Sequence, residues 1–513
     1  MPPNSHQNNS RLLLAAILGA GLGFLGASVV NVALPTFQTE LNADATDIQW
    51  IVSAFNLALA GLLLNAGAIS DRRGHLATFR LGLLVYAGAS IICATAKSPD
   101  VLIFGRAVQG LGSALLIPSS LGLVNTAHEA HERGRAVGLW SSYSAVVGGT
   151  APLIAGILLA IVSWRYLFWI NIPIAILVWR LLDSSHVQLP KRPPSKVFDW
   201  YGALFSVLAL GLLTFAAIES STLGLHSAVV WFSLFMGLAV AYLFIRSQRQ
   251  VPHPLMPLEM FHSPTFAAAN VVTFLAYSCM GGGFYVMMLT WIQIQGYSPL
   301  AAGTITLPFM FCTATLAHPV AKLIRRIGPR LPLAGGVMSL GCGFMSFSFA
   351  EVGTSFVSGY LTGIILTAIG IASMVASLTT AIMSSVEVSQ SGTASGINSA
   401  TARTAILFSV GILGAIHIAQ FESRASIGLD ALNLEPTLES QMYRELPKMA
   451  AAEIPTKIDA NIQNAIHKVI EYSFMDATHV VTRIAGTLAI LGALIAFVGI
   501  RTTRPRDGIE SKA

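Results

Sequence analysis

The sequence predicts an all-α integral membrane protein with two related six-helix bundles and two further helices inserted between them. Composition is the first sign: of 513 residues, 54% are apolar and 11% charged, where soluble domains carry roughly 25% charged residues. So little charge cannot clothe a water-soluble globule, and the bilayer must act as solvent. The second sign is a series of apolar runs, each near the ~20 residues that cross a bilayer as helix. The third is a repeat. The basic hairpin GAISDRRGH at 67–75 recurs, altered, as AKLIRRIGPR at 321–330, placing Gly67 on Ala321, Asp71 on Arg325, Arg72 on Arg326 and Gly74 on Gly328. A turn that returns once in each half after an apolar segment points to two related halves.

Taken in order, residues 1–11 read as a polar, unstructured cytoplasmic tail. The run 12–34 is too long for a signal-peptide core and has no clear cleavage site, so it is an uncleaved first span. Further spans are predicted at 50–69, 79–96, 101–124, 136–160, 166–182, 200–218, 228–245, 265–293, 300–321, 332–350, 355–382, 393–418 and 478–500. An even number puts both termini on one side. Arg72, Arg73, Arg133, Arg135, Lys191, Arg192, Lys196, Arg325, Arg326, Arg501 and Arg504 all fall on that side, which the positive-inside rule makes cytoplasmic. The repeat then divides the chain into an N-terminal bundle (12–183), a linker with two inserted spans (184–264), a C-terminal bundle (265–500) and a cytoplasmic tail (501–513). The linker 184–199 is basic and proline-rich, as suits a connection in water. The loop 419–477 has helical apolar spacing and is expected to form short amphipathic helices outside the membrane.

Several ordered motifs carry a resemblance. Span 1 ends in VVNVALP (29–35); the hairpin holds Gly67, Asp71, Arg72 and Gly74; LIFGRAVQGLGSALLIP (102–118) fits LIxxRxxQGxGxA; GGTAPLIAG (148–156) has glycines about a central proline; WRYLFWINIP, GYSPLAAGTITLP and GTASGINSATAR follow. Together they resemble the major facilitator superfamily, in particular its fourteen-span drug:proton antiporter branch, over nearly the whole chain. The resemblance implies the major facilitator fold and alternating access. It also implies efflux of a drug, antibiotic or toxin in exchange for protons, through a plasma membrane of bacterial type, by a monomer that needs no cofactor.

Within that frame, Gly67, Asp71, Arg72 and Gly74 would form a conformational latch. Gly67 would let helices approach closely, and Asp71 would pair with a helix end. Gly148, Pro152 and Gly156 form the antiporter-type motif, with alanines at 151 and 155 where the family has glycine. Arg106 is the strongest single candidate, because arginine at a bilayer centre costs about 2.5–3.5 kcal/mol even on insertion scales. It does not deprotonate, so it can tune a carboxylate, bind an anion or hold carbonyls, but cannot carry a proton. Gln109 is its expected partner, and Arg403 is the corresponding intramembrane charge in span 13. Asn31, Asn56, Tyr143, Tyr277, Tyr285, Gln293 and Asn398 are the candidate cavity residues.

What the spans lack is equally informative. Where the family has an aspartate in span 1, this chain has Gly26, and no acidic residue falls inside a predicted span. Arginines without a carboxylate bias a cavity against lipophilic cations and toward neutral or anionic hydrophobic compounds. Proton coupling then has only Asp71, Glu219, His318 or the substrate's own acid to use. Alternative functions are uncoupled transport of an endogenous metabolite, or transport-like sensing. HEAHERGR (128–135) lacks the spacing of a zinc protease helix. No nucleophile and base meet at membrane depth as an enzyme would need, and no basic patch with interleaved aromatics points to nucleic acid.

Overall fold

The computed structural model describes residues 5–185, 199–252, 254–387, 390–455 and 458–501, all helix and connections with no strand among them. Among the described residues, thirteen helices are long and apolar enough to cross a membrane.

In the first half, α1 (Ser5–Ser28) passes through a 3-10 turn, Val29–Ala33, into α2 (Leu34–Leu41). Asn42 adopts the left-handed conformation that ends α2. Two residues on, Asp44 opens α3 (Ala45–Arg73) with a reciprocal cap: Asp47 N donates to Asp44 Oδ1 at 2.8 Å and Asp44 N to Asp47 Oδ2 at 3.1 Å. Gly74, at φ +92°, makes the turn into α4 (His75–Ala94). Then come α5 (Pro99–Ala127), α6 (Ala130–Ile161), the single turn α7 (Tyr166–Trp169) and α8 (Asn171–Ser185). Helix α5 packs along both α3 and α4. The inserted pair, α9 (Trp200–Glu219) and α10 (Ala228–Gln250), is clamped at one end by Asp199, which caps Gly202 N at 2.8 Å and accepts from Gln248 Nε2 at 2.6 Å. Helix α9 lies against α3, and α10 exposes Phe232, Phe235 and Tyr242 as a lipid-facing side would.

In the second half, α11 (Pro264–Leu289) ends in a π turn, Thr290–Ile294. It is followed by α12 (Pro299–Thr304), α13 (Leu307–Ile327), α14 (Arg330–Phe347), α15 (Phe356–Gly359) and α16 (Leu361–Ser384), and by α17 (Ser391–Ala431), α18 (Pro436–Glu445) and α19 (Ala460–Gly499).

The structure corrects three expectations. Helix begins at Ser5, inside the stretch read as an unstructured tail, and Arg11 Nη1 ties it to the Ser184 carbonyl at 3.3 Å. The predicted span 332–350 is the helix α14, but it has 18 residues headed by Arg330 and interrupted by glycines, and it is not among the thirteen. Most of the linker 184–199 lies outside the described residues. The loop 419–477 is only in part the set of short helices expected outside the membrane, since α18 (Pro436–Glu445) is one but most of the segment belongs to longer helices. Helices α17 and α19 run on for 41 and 40 residues, about 60 Å each at 1.5 Å per residue against ~30 Å of hydrocarbon. They can do so because they bury each other: Phe421 and Phe474 rings lie 6.2 Å apart, Val469 packs on Gly428, and Arg424 Nε sits 3.9 Å from Asp476 Oδ2. Among the described residues, α18 and a 3-10 turn, Leu446–Ala451, are the helical elements of the tip between them.

By packing, the chain forms two compact units: Met1–Leu255 with Tyr285–Thr306 and Leu407–Thr478, and Met256–Phe284 with Leu307–Ile406 and His479–Ala513. Their borders are not those of the bundles read from the repeat. The first unit takes in one end of several helices of the second half.

Candidate transport site and gates

Arg106 stands on α5 in the first unit and is 1% exposed. Its guanidinium donates to Gln109 Oε1 at 2.5 Å, to the Gly26 carbonyl at 2.8 Å and to the Ile51 carbonyl at 3.3 Å, and lies 4.3 Å from the Phe55 ring centroid. Gln109 Nε2 then donates to Ser90 Oγ at 2.9 Å, which also accepts from Asn171 Nδ2 at 3.2 Å. The arginine thus draws α1, α3, α4 and α8 to α5. Neutral dipoles and one aromatic face satisfy it, and no carboxylate is among these partners.

Gly26 explains the absence of that carboxylate. A Cβ built there would fall 2.5 Å from the Tyr86 hydroxyl and 3.3 Å from the Phe55 ring. Tyr86 is held in place by donating to the Leu22 carbonyl at 2.7 Å. The chain has filled with a tyrosine the space that a side chain at 26 would occupy.

At the hairpin, Ser70 Oγ and His75 Nδ1 lie 2.8 Å apart across Gly74, and His75 fits over Gly122 of α5, where any Cβ would strike its ring. Asp71 is 57% exposed and 3.9 Å from His75 Nε2; Arg72 is exposed. Gly67 is not the close-approach position expected, since the nearest atom to a Cβ there is Pro118 Cβ at 4.0 Å. In the second hairpin Gly328 repeats the turn at φ +80°, and Arg330 lies over the Phe497 ring at 4.5 Å.

The motif on α6 meets the start of the next half. A Cβ at Gly156 would fall 2.6 Å from the Pro299 carbonyl, and one at Gly303 2.5 Å from the carbonyl of Pro152; Gly148 faces Phe24 at 3.0 Å. Ala151 and Ala155 are fully buried. At the same end of the first unit, Gln293 Nε2 donates to Gln38 Oε1 at 2.6 Å, Gln38 Nε2 donates to the Lys448 carbonyl at 3.2 Å, and Gly414 packs on Gln49. These contacts close that end around α2, α6, α12 and the 446–451 turn.

The remaining predicted residues divide between the two units. Asn31 and Asn56 each keep a buried carbonyl oxygen without a hydrogen-bond partner, although Asn56 Nδ2 donates to Val52 O at 3.0 Å. Tyr285 is buried and Tyr143 is 56% exposed. In the second unit Asn398 Oδ1 accepts from Thr273 at 2.6 Å, a tie between α17 and α11, and Arg403 lies within electrostatic range of Tyr277.

Sequence reasoning did not find a cleft of about 670 Å³ in the second unit, lined by α13 (Thr313, Ala317) and α16 (Ala372, Val375, Ala376, Thr379, Thr380, Met383, Ser384). Nor did it single out Gln38, the hub of the closed end. The adjacent Thr379 and Thr380 in the uncharged helix α16 were the available signal for the cleft.

The match to known proteins accords with this architecture. The family model described as Major Facilitator Superfamily matches residues 16–411. The chain belongs to that superfamily. Multidrug resistance protein Stp of Mycobacterium tuberculosis is 30% identical over 450 residues, covering 87% of this chain and 82% of the relative. The tetracenomycin C resistance and export protein of Streptomyces glaucescens is 28% identical over 498 residues, covering 94% and 90%. Among solved structures, a bacterial homologue of the human lysosomal transporter Spinster, in an inward-facing, unoccupied conformation, aligns over 98% of this chain and all of its own with a TM-score of 0.64 at 15% identity, a likeness of fold. The superfamily member described here is therefore a multi-pass membrane transporter whose relatives are named for drug and antibiotic resistance.

Proposed function

We propose that this transporter exports neutral or anionic hydrophobic small molecules across the plasma membrane by alternating access, exchanging them for protons, as a monomer with both termini cytoplasmic. The basic residues flanking the hairpins support the orientation, which makes the end closed by Gly156, Pro299, Gln38 and Lys448 the outer gate. The relatives' names support export of a drug, antibiotic or toxin.

The observation that carries the substrate class is the sealing of Arg106 by carbonyls, Gln109 and Phe55, with no charged side chain lining the cleft. A lipophilic cation meets no anionic partner there, and an unpaired charge in low dielectric is costly. In inside-out vesicles, a neutral hydrophobic dye should accumulate when a pH gradient is imposed and stop when an ionophore collapses it. Accumulation that ignores the collapse would remove the proton from this account. It would then favour uncoupled export, a reading supported by the lack of a carboxylate beside Arg106.

A further inference from the structure

The cleft between α13 and α16 has a wall of one hydrogen-bonding kind. Thr313 Oγ1 donates to the Phe309 carbonyl at 2.7 Å, Thr379 Oγ1 to Val375 O at 2.9 Å, Thr380 Oγ1 to Ala376 O at 2.9 Å, and Ser384 Oγ to Ala381 O at 3.1 Å. Each hydroxyl proton is spent on the helix's own backbone, while each oxygen keeps lone pairs. The other lining residues are alanines, Val375 and Met383. The wall therefore accepts hydrogen bonds, offers methyl and thioether surface, and carries neither a free donor nor a charge. Its volume of about 670 Å³ lies within the ~300–1,000 Å³ usual for small-molecule sites.

From this we infer that the cleft binds uncharged, largely aromatic molecules through their hydrogen-bond donors, such as phenolic hydroxyls or N–H groups, and discriminates against carboxylates. A carboxylate brings only acceptors to a wall of acceptors, so the pairing is repulsive. A phenol brings the missing proton and an apolar body. The thioether of Met383 suits an aromatic ring, since sulfur and ring edge attract. This narrows the neutral-or-anionic substrate class of the exporter reading, on which it rests, to the neutral side.

The test measures binding of 2-naphthol, 2-methoxynaphthalene and 2-naphthoate to the full chain in nanodiscs, by competition against a bound fluorescent dye. Naphthol should bind about three- to tenfold tighter than its methyl ether, the range of one neutral hydrogen bond, and naphthoate should bind weakest. In T313V/T379V/T380V/S384A, which keeps the shape and removes every lining hydroxyl, naphthol affinity should fall to that of the ether while ether affinity stays put. Ala317→Phe, which fills the cleft, should weaken both. Equal affinity for naphthol and ether in the native chain, or a preference that survives removal of the four hydroxyls, overturns the inference. So does displacement of both probes by phospholipid acyl chains with no donor preference, which would make the occupant a lipid. Dye export measured on the same variants separates the two readings. Export that persists without donor preference sinks only the cleft assignment, and donor preference in a chain that exports nothing sinks only the exporter.

Discussion

The arginine seat of the first unit and the cleft of the second solve opposite problems with the same restricted chemistry. In the seat, a permanent charge is surrounded until three acceptors and an aromatic face satisfy it and almost no surface is left exposed. In the cleft, hydroxyl groups are left open to the surroundings, but their protons have been taken by the helix backbone. The first region uses polarity to hold five helices together; the second has its polarity muted so that an apolar guest is welcome. The difference teaches that an intramembrane charge need not mark a binding surface. Arg106, the strongest candidate by sequence, is held by three acceptors and a ring, and the recognition proposed above falls to a cleft with no charged lining residue.

The largest expected effect comes from breaking the seat. Arg106→Met would leave the Gly26 and Ile51 carbonyls and Gln109 Oε1 without their donor, each costing about 1–3 kcal/mol when buried. Folded yield by fluorescence-detected size exclusion should collapse, and Arg106→Lys, which keeps the charge but loses the fork, should recover only part of it. A well-folded Arg106→Met protein that had merely lost transport would return Arg106 to a purely functional role. Next in size is Gly26→Asp, which should destabilise because its Cβ meets the Tyr86 hydroxyl. Adding Tyr86→Phe should restore stability and give Arg106 a carboxylate. No rescue by the phenylalanine would show that Tyr86 is not what excludes a side chain at 26.

These consequences explain what could be read in advance. Span positions and the doubled hairpin were legible because apolar run length and a repeated turn are one-dimensional signals, and Gly74 and Gly328 do share a positive φ. The extensions of α17 and α19 were not, because helical periodicity is the same inside and beyond the bilayer and only the pairing of Phe421 with Phe474 decides where the helix ends. Tyr86 filling the space beside Gly26 joins residues far apart in sequence, and the direction of a threonine proton has no sequence signature.

A smaller effect sharpens the comparison between the two hairpins. Gly74→Ala and Gly328→Ala should each cost about 1–3 kcal/mol, the penalty for a side chain on sparsely allowed positive-φ backbone, visible as a lowered melting temperature in each. Asp71→Asn should leave melting unchanged and slow transport, because Arg325 stands in its place in the second copy and only the first hairpin has the acid. Undiminished transport by Asp71→Asn would make the two hairpins equivalent.

The smallest effect lies at the tip between α17 and α19. Burial tends to raise the Glu445 carboxyl, but the Glu453 backbone N–H and the Lys448 ammonium, 3.0 Å away, outweigh it and hold the group below its ordinary value of 4.5. A depressed acid stabilises above its unfolded value and loses that contribution as pH falls through it. Protection of the Glu453 amide from hydrogen exchange should therefore decline only below about pH 4.5. Protection lost nearer neutral pH would contradict the pairing.

The central proposal, that this transporter exports uncharged rather than cationic compounds, is tested most directly by one scaffold in two charge states. Export of a neutral aromatic amide and of its quaternary ammonium analogue would be compared in the same vesicles under the same pH gradient. Efflux of the neutral compound with little or none of the cation is the predicted result. Export of both at similar rates would contradict it.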